Sequence, residues 1–165
     1  MAAEAIVSQA QVLELVPQQP PFRFIDAISA LDEDSIRASY RFRTDESFYK
    51  GHFPGNPVTP GVILIEAMAQ TGVVALGIYL LLKQGMTVSE VKGVTPLFAF
   101  ADQVEFTGIV RPGEKVMLSG EKMYLRRGNL KARCSVAREN GEVVCSGVLT
   151  GTGVSGTGAA RLKTK

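Results

Sequence analysis

The sequence predicts an α+β domain in which one long apolar helix lies between two blocks of antiparallel strands. Three observations carry this. The stretch VILIEAMAQTGVVALGIYLLLK, Val62 to Lys83, is almost unbroken in apolar character, too long for a strand and apolar on every side, which is the pattern of a buried helix. Ser35 to Arg43 alternates, with Ile36, Ala38, Tyr40 and Phe42 on one face and Arg37, Ser39, Arg41 and Arg43 on the other, as a half-buried antiparallel strand does. Gly128-Asn129 and Asn140-Gly141 then punctuate strand-like runs with hairpin turn chemistry.

Length and composition set the bounds. The chain has 165 residues, 45% of them hydrophobic, enough to bury one core. A net charge of +2 is too small for a nucleic-acid binder. Met1 to Val16 contains Glu4 and Glu14 and no long apolar core, so no secretory leader is expected and a cytoplasmic protein is the simplest reading. A single domain is expected over residues 1–150. The tail from Gly151 to Lys165, GTGVSGTGAARLKTK, has too little apolar content to pack and is expected to be disordered.

Taken in order, Ser8 to Val16 suits a short amphipathic helix that Pro17 and Pro20-Pro21 must end. Phe22 to Leu31 and Ser35 to Arg43 read as strands joined by the acidic turn Asp32-Glu33-Asp34. The long helix is expected to start near Pro60 or Gly61, after a Gly- and Pro-rich loop, and to end near Lys83-Gln84-Gly85, where a cation and a glycine suit a helix C-terminus. Val62 to Leu82 is long enough to cross a bilayer. Glu66, Gln70 and Thr71 interrupt it near its start and strand-like segments flank it, so a core helix is the reading adopted. Gly85 to Gly93 reads as a polar connection and Pro96 to Val110 as the first strand of the second block. Met117 to Arg127, Leu130 to Arg138 and Glu142 to Thr150 complete the block as two hairpins. With Asn140-Gly141 as a two-residue loop, Cys145 pairs with Val136 and Cys134 lies diagonally across. Diagonal neighbours sit about 7–8 Å apart, beyond disulfide reach, so two free thiols are expected.

Two residues stand out chemically. Glu66 is the only residue of the long helix before Lys83 that carries a charge in its ordinary state at pH 7, and Gln70, four residues on, shares its face. His52, the only histidine in the chain, sits in the loop GHFPGNPVTPG just upstream. A lone histidine or a buried, hydrogen-bonded acid is by itself more often structural; a histidine in such a loop next to a helix bearing an acid also fits an active site.

The segment Gly51 to Gln70 resembles the signature of the 3-hydroxyacyl-acyl-carrier-protein dehydratases of bacterial-type fatty acid synthesis, members of the hot-dog fold superfamily. The resemblance fixes HFPG, the following P-x-x-P-G, an acid fourteen residues after the histidine, and the glutamine at one spacing. LVPQQPPFRFID, Leu15 to Asp26, resembles the family's N-terminal entry, with Gln18-Gln19 where His-Arg is usual. VEFTGIVRPGEKV, Val104 to Val116, resembles the strand and turn after the helix, with Glu105 and Thr107 where basic residues are common.

The resemblance implies a hot-dog fold, His52 and Glu66 as the catalytic pair, and removal of water from a 3-hydroxyacyl thioester to give the trans-2-enoyl thioester. His52 is the natural base, since imidazole is the side chain suited to proton transfer near neutrality. Burial should raise the pKa of Glu66 so that it can protonate the departing hydroxyl. By the same resemblance Gly61 donates its N–H to the enolate oxygen, Val58 offers its carbonyl to the second His52 nitrogen, and Gln70 orients the acid. No metal or bound cofactor is needed.

An apolar acyl tunnel is expected along the helix and Leu97, Phe98 and Phe100, each of which also suits plain core. The partner implied is an acidic acyl carrier protein. Seven basic against two acidic residues lie between Arg111 and Arg133, and pairing about Gly128-Asn129 would set Arg126 opposite Lys131. Arg126, Arg127 and Lys131 are therefore the candidate docking cations, although a merely solvated hairpin fits equally well. A helix apolar all round needs a second copy to cover it, so a homodimer or an assembly of dimers is expected, with His52 of one chain meeting Glu66 of the other. The alternatives are a hot-dog thioesterase, a specialised polyketide-type dehydratase, or a non-catalytic acyl-chain binding module. The intact His52–Glu66 pair argues against the last.

Overall fold

The computed structural model describes residues 6–155. Among them α1 (Gln9–Leu15) precedes β1 (Ala27–Leu31) and β2 (Ser35–Arg41), and a 3-10 turn (Ser47–Lys50) leads into the long helix. That helix runs as α2 (Gly61–Ala69), a π-helical turn (Gln70–Ala75) and α3 (Leu76–Lys83). After it come α4 (Val88–Lys92), β3 (Val94–Phe106), β4 (Lys115–Arg126), β5 (Asn129–Arg138) and β6 (Val143–Ser155). The strands form one six-stranded sheet in the order β1-β2-β4-β5-β6-β3, antiparallel throughout.

The sheet wraps the helix because β2, β4 and β5 turn their apolar alternate residues toward it. Ile36, Ala38 and Tyr40 of β2, Val116 and Leu118 of β4, and Ala132, Cys134 and Val136 of β5 are buried. They share one core with Leu64, Met68, Ala75 and Leu76 of the helix. Close approach depends on two facing glycines. A Cβ on Gly120 would lie 2.5 Å from the Gly72 Cα, and one on Gly72 would lie 2.4 Å from the Cys134 sulfur. Gly61–Lys83 is apolar and long enough to span a bilayer, yet two-thirds of its most apolar window (67%) is buried inside the chain's own fold, so it is a core helix. Val62 is the exception to an all-round apolar contact, being 71% exposed.

Several expectations needed correction. The first strand begins at Ala27, five residues after Phe22, because Phe22 and Phe24 give their backbone groups to Gln70 and not to a sheet neighbour. The connection after the long helix contains α4, whose Thr87–Glu90 capping box satisfies its first turn. Strand β6 runs on through Gly151 to Ser155, paired with Val94 to Phe98 of β3, so the start of the expected disordered tail is sheet. Residues 156–165 of that tail lie outside the described residues.

The β4–β5 turn is Arg127-Gly128, both at positive φ (50° and 75°), with Arg126 opposite Asn129. A type I′ turn needs that conformation at both central residues, and here it sits one residue earlier than Gly128-Asn129. Lys131 therefore faces Tyr124, with its ammonium 5.9 Å from the ring centroid, and not Arg126. The next loop is one residue longer than expected. Arg138 N–H donates to the Glu142 carbonyl at 2.8 Å and Gly141 takes φ +90°. A bulge between Val136 and Ala137 absorbs the shift, so Cys145 still pairs with Val136. Both cysteines are free and buried.

Candidate active site

His52 sits in a loop that closes upon itself. Its N–H donates to the Phe48 carbonyl at 3.0 Å, and its own carbonyl accepts from Val58 N–H at 2.9 Å. Phe53 and Asn56 exchange backbone bonds of 3.1 and 2.9 Å inside the loop. The imidazole Nδ1 lies 2.8 Å from the Val58 carbonyl oxygen. A carbonyl only accepts, so Nδ1 carries the proton, and a neutral ring presents Nε2 as a free acceptor. The Phe53 ring stacks on the imidazole with centroids 4.1 Å apart.

Glu66 is anchored differently. It lies half-buried in α2, and its Oε1 accepts from Gln70 Nε2 at 2.8 Å. Gln70 is fully buried; the same Nε2 donates to the Phe22 carbonyl at 2.8 Å, and its Oε1 accepts from Phe24 N–H at 2.7 Å. These backbone partners settle the amide orientation, so Gln70 can offer Glu66 only a donor. Burial raises the Glu66 pKa from its ordinary value, and the Gln70 bond opposes this. Among the described residues no cation contributes to that balance.

A groove of about 170 Å³ opens at Glu66, lined also by Gln18, Ala69, Val73, Val74, Pro96, Leu97, Phe98 and Gly151. It shares Val73, Val74, Pro96 and Gly151 with a cavity of about 240 Å³ that runs on beneath α1 and α4 to Leu15, Met86 and Leu125. Leu97 and Phe98 thus stand where a tunnel lining was expected, whereas Phe100 lines neither space and is 56% exposed on β3. His52 lines neither space, and among the described residues no hydrogen bond joins it to Glu66.

Gly61 opens α2, whose first amides have no carbonyl a turn earlier, and no side chain caps them. A Cβ at Gly61 would come within 2.8 Å of the Phe106 ring, a contact no local pattern announces. Gln18 is the other residue that local reasoning missed. It lines the Glu66 groove with its Oε1 buried and without a partner among the described residues. Its departure from the usual His-Arg was the one available signal. Arg126 and Arg127 are exposed at the hairpin tip, and Lys131 shares the outer face with Arg126, since Leu125 and Leu130 between them turn inward.

A long helix wrapped by one antiparallel sheet is the hot-dog fold. A dehydratase of the heterocomplex ApeI:P from Xenorhabdus doucetiae superposes with a TM-score of 0.72, covering 88% of this chain and 92% of that one, at 12% identity. The thioesterase HI1161 from Haemophilus influenzae does so with 0.62, covering 98% and 100%, at 18% identity. At such identities the likeness is one of fold alone. Sequence goes further: residues 16–148 match the FabA-like domain family. The 3-hydroxyacyl-[acyl-carrier-protein] dehydratase FabZ of Caldicellulosiruptor bescii is 41% identical over 140 residues, 84% of this chain and 93% of that protein. The corresponding dehydratase of Bacillus subtilis is 37% identical over 141 residues, 85% and 93% of the two chains. The chain belongs to the FabZ family of 3-hydroxyacyl-[acyl-carrier-protein] dehydratases.

Proposed function

We propose that this chain dehydrates 3-hydroxyacyl thioesters carried on acyl carrier protein to trans-2-enoyl thioesters in cytoplasmic fatty acid biosynthesis, with His52 as base and Glu66 as acid. The observation that carries the reading is the placement of Glu66. A half-buried carboxyl whose pKa is raised by desolvation, tethered by a neutral amide at the mouth of an apolar groove, is suited to hold and deliver a proton beside an acyl chain.

The chemistry balances as follows. Nε2 of His52 takes the proton from C2, and charge moves onto the thioester oxygen, where the uncapped Gly61 amide and the positive end of α2 oppose it. Glu66 Oε1 is occupied by Gln70, so Oε2 carries the proton given to the 3-hydroxyl. The C3–O bond breaks, the C2=C3 bond forms, and water leaves. Transfer of the proton from the imidazolium back to the carboxylate resets the site.

Because His52 does not reach the Glu66 groove within one chain, the pair is completed by a second copy. Edge strand β3 exposes Leu97, Phe98, Phe100 and Phe106 along an unpaired rim, and a second β3 covers such an edge. Arg126, Arg127 and Lys131 form the cationic face for an acidic carrier. Charge reversal at Arg126 and Arg127 should raise KM for carrier-bound substrate several-fold, less at high salt, and leave a short pantetheine thioester unaffected. Equal effects on both substrates would remove the hairpin from the docking surface.

The direct test is to incubate the protein with 3-hydroxyacyl thioesters on carrier protein and on coenzyme A. Loss of one water by mass is expected. Release of free thiol would make it a thioesterase, and no reaction would make it a binding module.

A further inference from the structure

The buried groups that this chemistry leaves unused include a tyrosine and a threonine at the two ends of the His52 loop. Tyr49 (5% exposed) closes the 3-10 turn, and Thr59 (4% exposed) immediately precedes Pro60 at the start of α2. Their hydroxyls meet at 2.6 Å. We infer that this hydroxyl pair is the positioning device of the site, setting the one peptide group that fixes the His52 tautomer and the first turn of the helix.

The peptide group so set joins Val58 to Thr59. Its carbonyl accepts a hydrogen bond from His52 Nδ1–H at 2.8 Å, and its N–H donates to the Val110 carbonyl at 2.9 Å. A peptide unit is planar, so a partner that holds the N–H also aims the carbonyl. The remaining freedom is rotation of the loop about its own ends, and the Tyr49–Thr59 bond ties those ends together across the ten residues that separate them. Next along the chain, Pro60 supplies its carbonyl to Ile63 and Leu64 at 2.9 and 3.3 Å, so the same tie sets where the Gly61 amide points. The β3–β4 connection that supplies Val110 is braced in turn, since Arg138 donates to the Ile109 carbonyl at 2.7 Å and pairs with Glu114 and Glu142. Neither hydroxyl touches the Glu66 groove, so the pair acts through His52 and not on substrate.

This inference rests on His52 being the base, and the test separates the two. His52 is the only histidine, so selective ¹⁵N labelling gives one imidazole whose tautomer is read directly, without turnover. The wild type should show the Nδ1–H form. In Tyr49→Phe and in Thr59→Val a mixture of tautomers should appear, with kcat reduced about ten- to a hundredfold and KM within about twofold of wild type. Thr59→Ser, which keeps the hydroxyl, should restore the single tautomer and most of kcat.

The double variant Tyr49→Phe/Thr59→Val distinguishes positioning from plain stability. With both hydroxyls gone neither is left buried without a partner, so its Tm should recover toward wild type while kcat stays low. If kcat returns with Tm, or if the tautomer is unchanged in every variant, the pair is structural and the inference is overturned. If instead His52→Ala keeps near-native turnover, the assignment of the base is what fails.

Discussion

His52 and Glu66 are held in opposite ways. The histidine is fixed by backbone groups of its own loop, none more than six residues away. The acid is fixed by a fully buried glutamine that reaches 46 and 48 residues back to Phe24 and Phe22. One is a local clamp, and the other is part of the packing between the helix and the entry segment. The loop can thus lose its side chain with little cost to the fold, whereas the supports of the acid cannot be altered without disturbing the core.

The largest effects should come from the two groups proposed to react. His52→Ala should lower kcat by about 10²–10⁴ and leave Tm nearly unchanged, because the side chain is a minor part of the core. Glu66→Gln should lower kcat similarly while folding at least as stably, since an acid in a poorly solvating site is removed. Turnover measured beside a thermal melt checks both. Near-native activity in either variant would sink the assignment.

Whether the two supports belong to one chain or two is the next largest question. If the proposed two-chain site holds, His52→Ala and Glu66→Ala chains, co-expressed or refolded together, should form hybrid dimers with one intact and one doubly altered site. Random exchange makes half the dimers hybrid, so activity should rise from background to about a quarter of wild type. Hybrid dimers seen by native mass spectrometry without recovered turnover would place both residues of each site in a single chain.

That contrast also sorts what was legible in the sequence. The Glu66–Gln70 pair follows from helix spacing, whereas the His52–Val58 bond was implied by the family resemblance alone; both bonds are present. The helix, the β2 alternation and the free thiols likewise follow from local periodicity and turn chemistry. Missed features depend on distant partners or on one-residue offsets. Phe22 and Phe24 look like strand residues until Gln70 claims their backbone groups. The Gly128-Asn129 pair has good turn composition, yet Arg127 adopts positive φ and moves the register by one, separating Arg126 from Lys131. Gly151 to Ser155 is poor in apolar residues and still forms sheet, because β3 supplies a long partner edge.

Gln70→Ala tests the asymmetry at the level of stability. It leaves the Phe24 N–H buried without its partner and takes the donor from the part-buried Phe22 carbonyl; an unsatisfied buried group costs about 1–3 kcal/mol, so a clear fall in Tm should accompany roughly a tenfold loss of kcat. No substitution of the His52 side chain should destabilise as much. Equal melts for Gln70→Ala and His52→Ala would show that the acid is no more deeply wired than the base.

The smallest effect is a pH dependence of stability that comes from the acid. Burial holds the Glu66 pKa above its ordinary value of 4.5, so the folded chain keeps this proton at pH values where the unfolded chain has lost it. In that window the folded state binds more protons, and stability falls as pH rises. Below the ordinary value both states are protonated and the penalty vanishes; above the folded value both are ionised and it is constant. Glu66→Gln removes the titration. The Tm of E66Q relative to wild type should therefore be lowest in acid, climb as pH rises through the folded value, and then level off. A difference that stays flat with pH, or runs the other way, would mean that Gln70 outweighs desolvation and that the carboxyl is an ordinary ionised surface acid, unable to supply the proton that the departing hydroxyl requires.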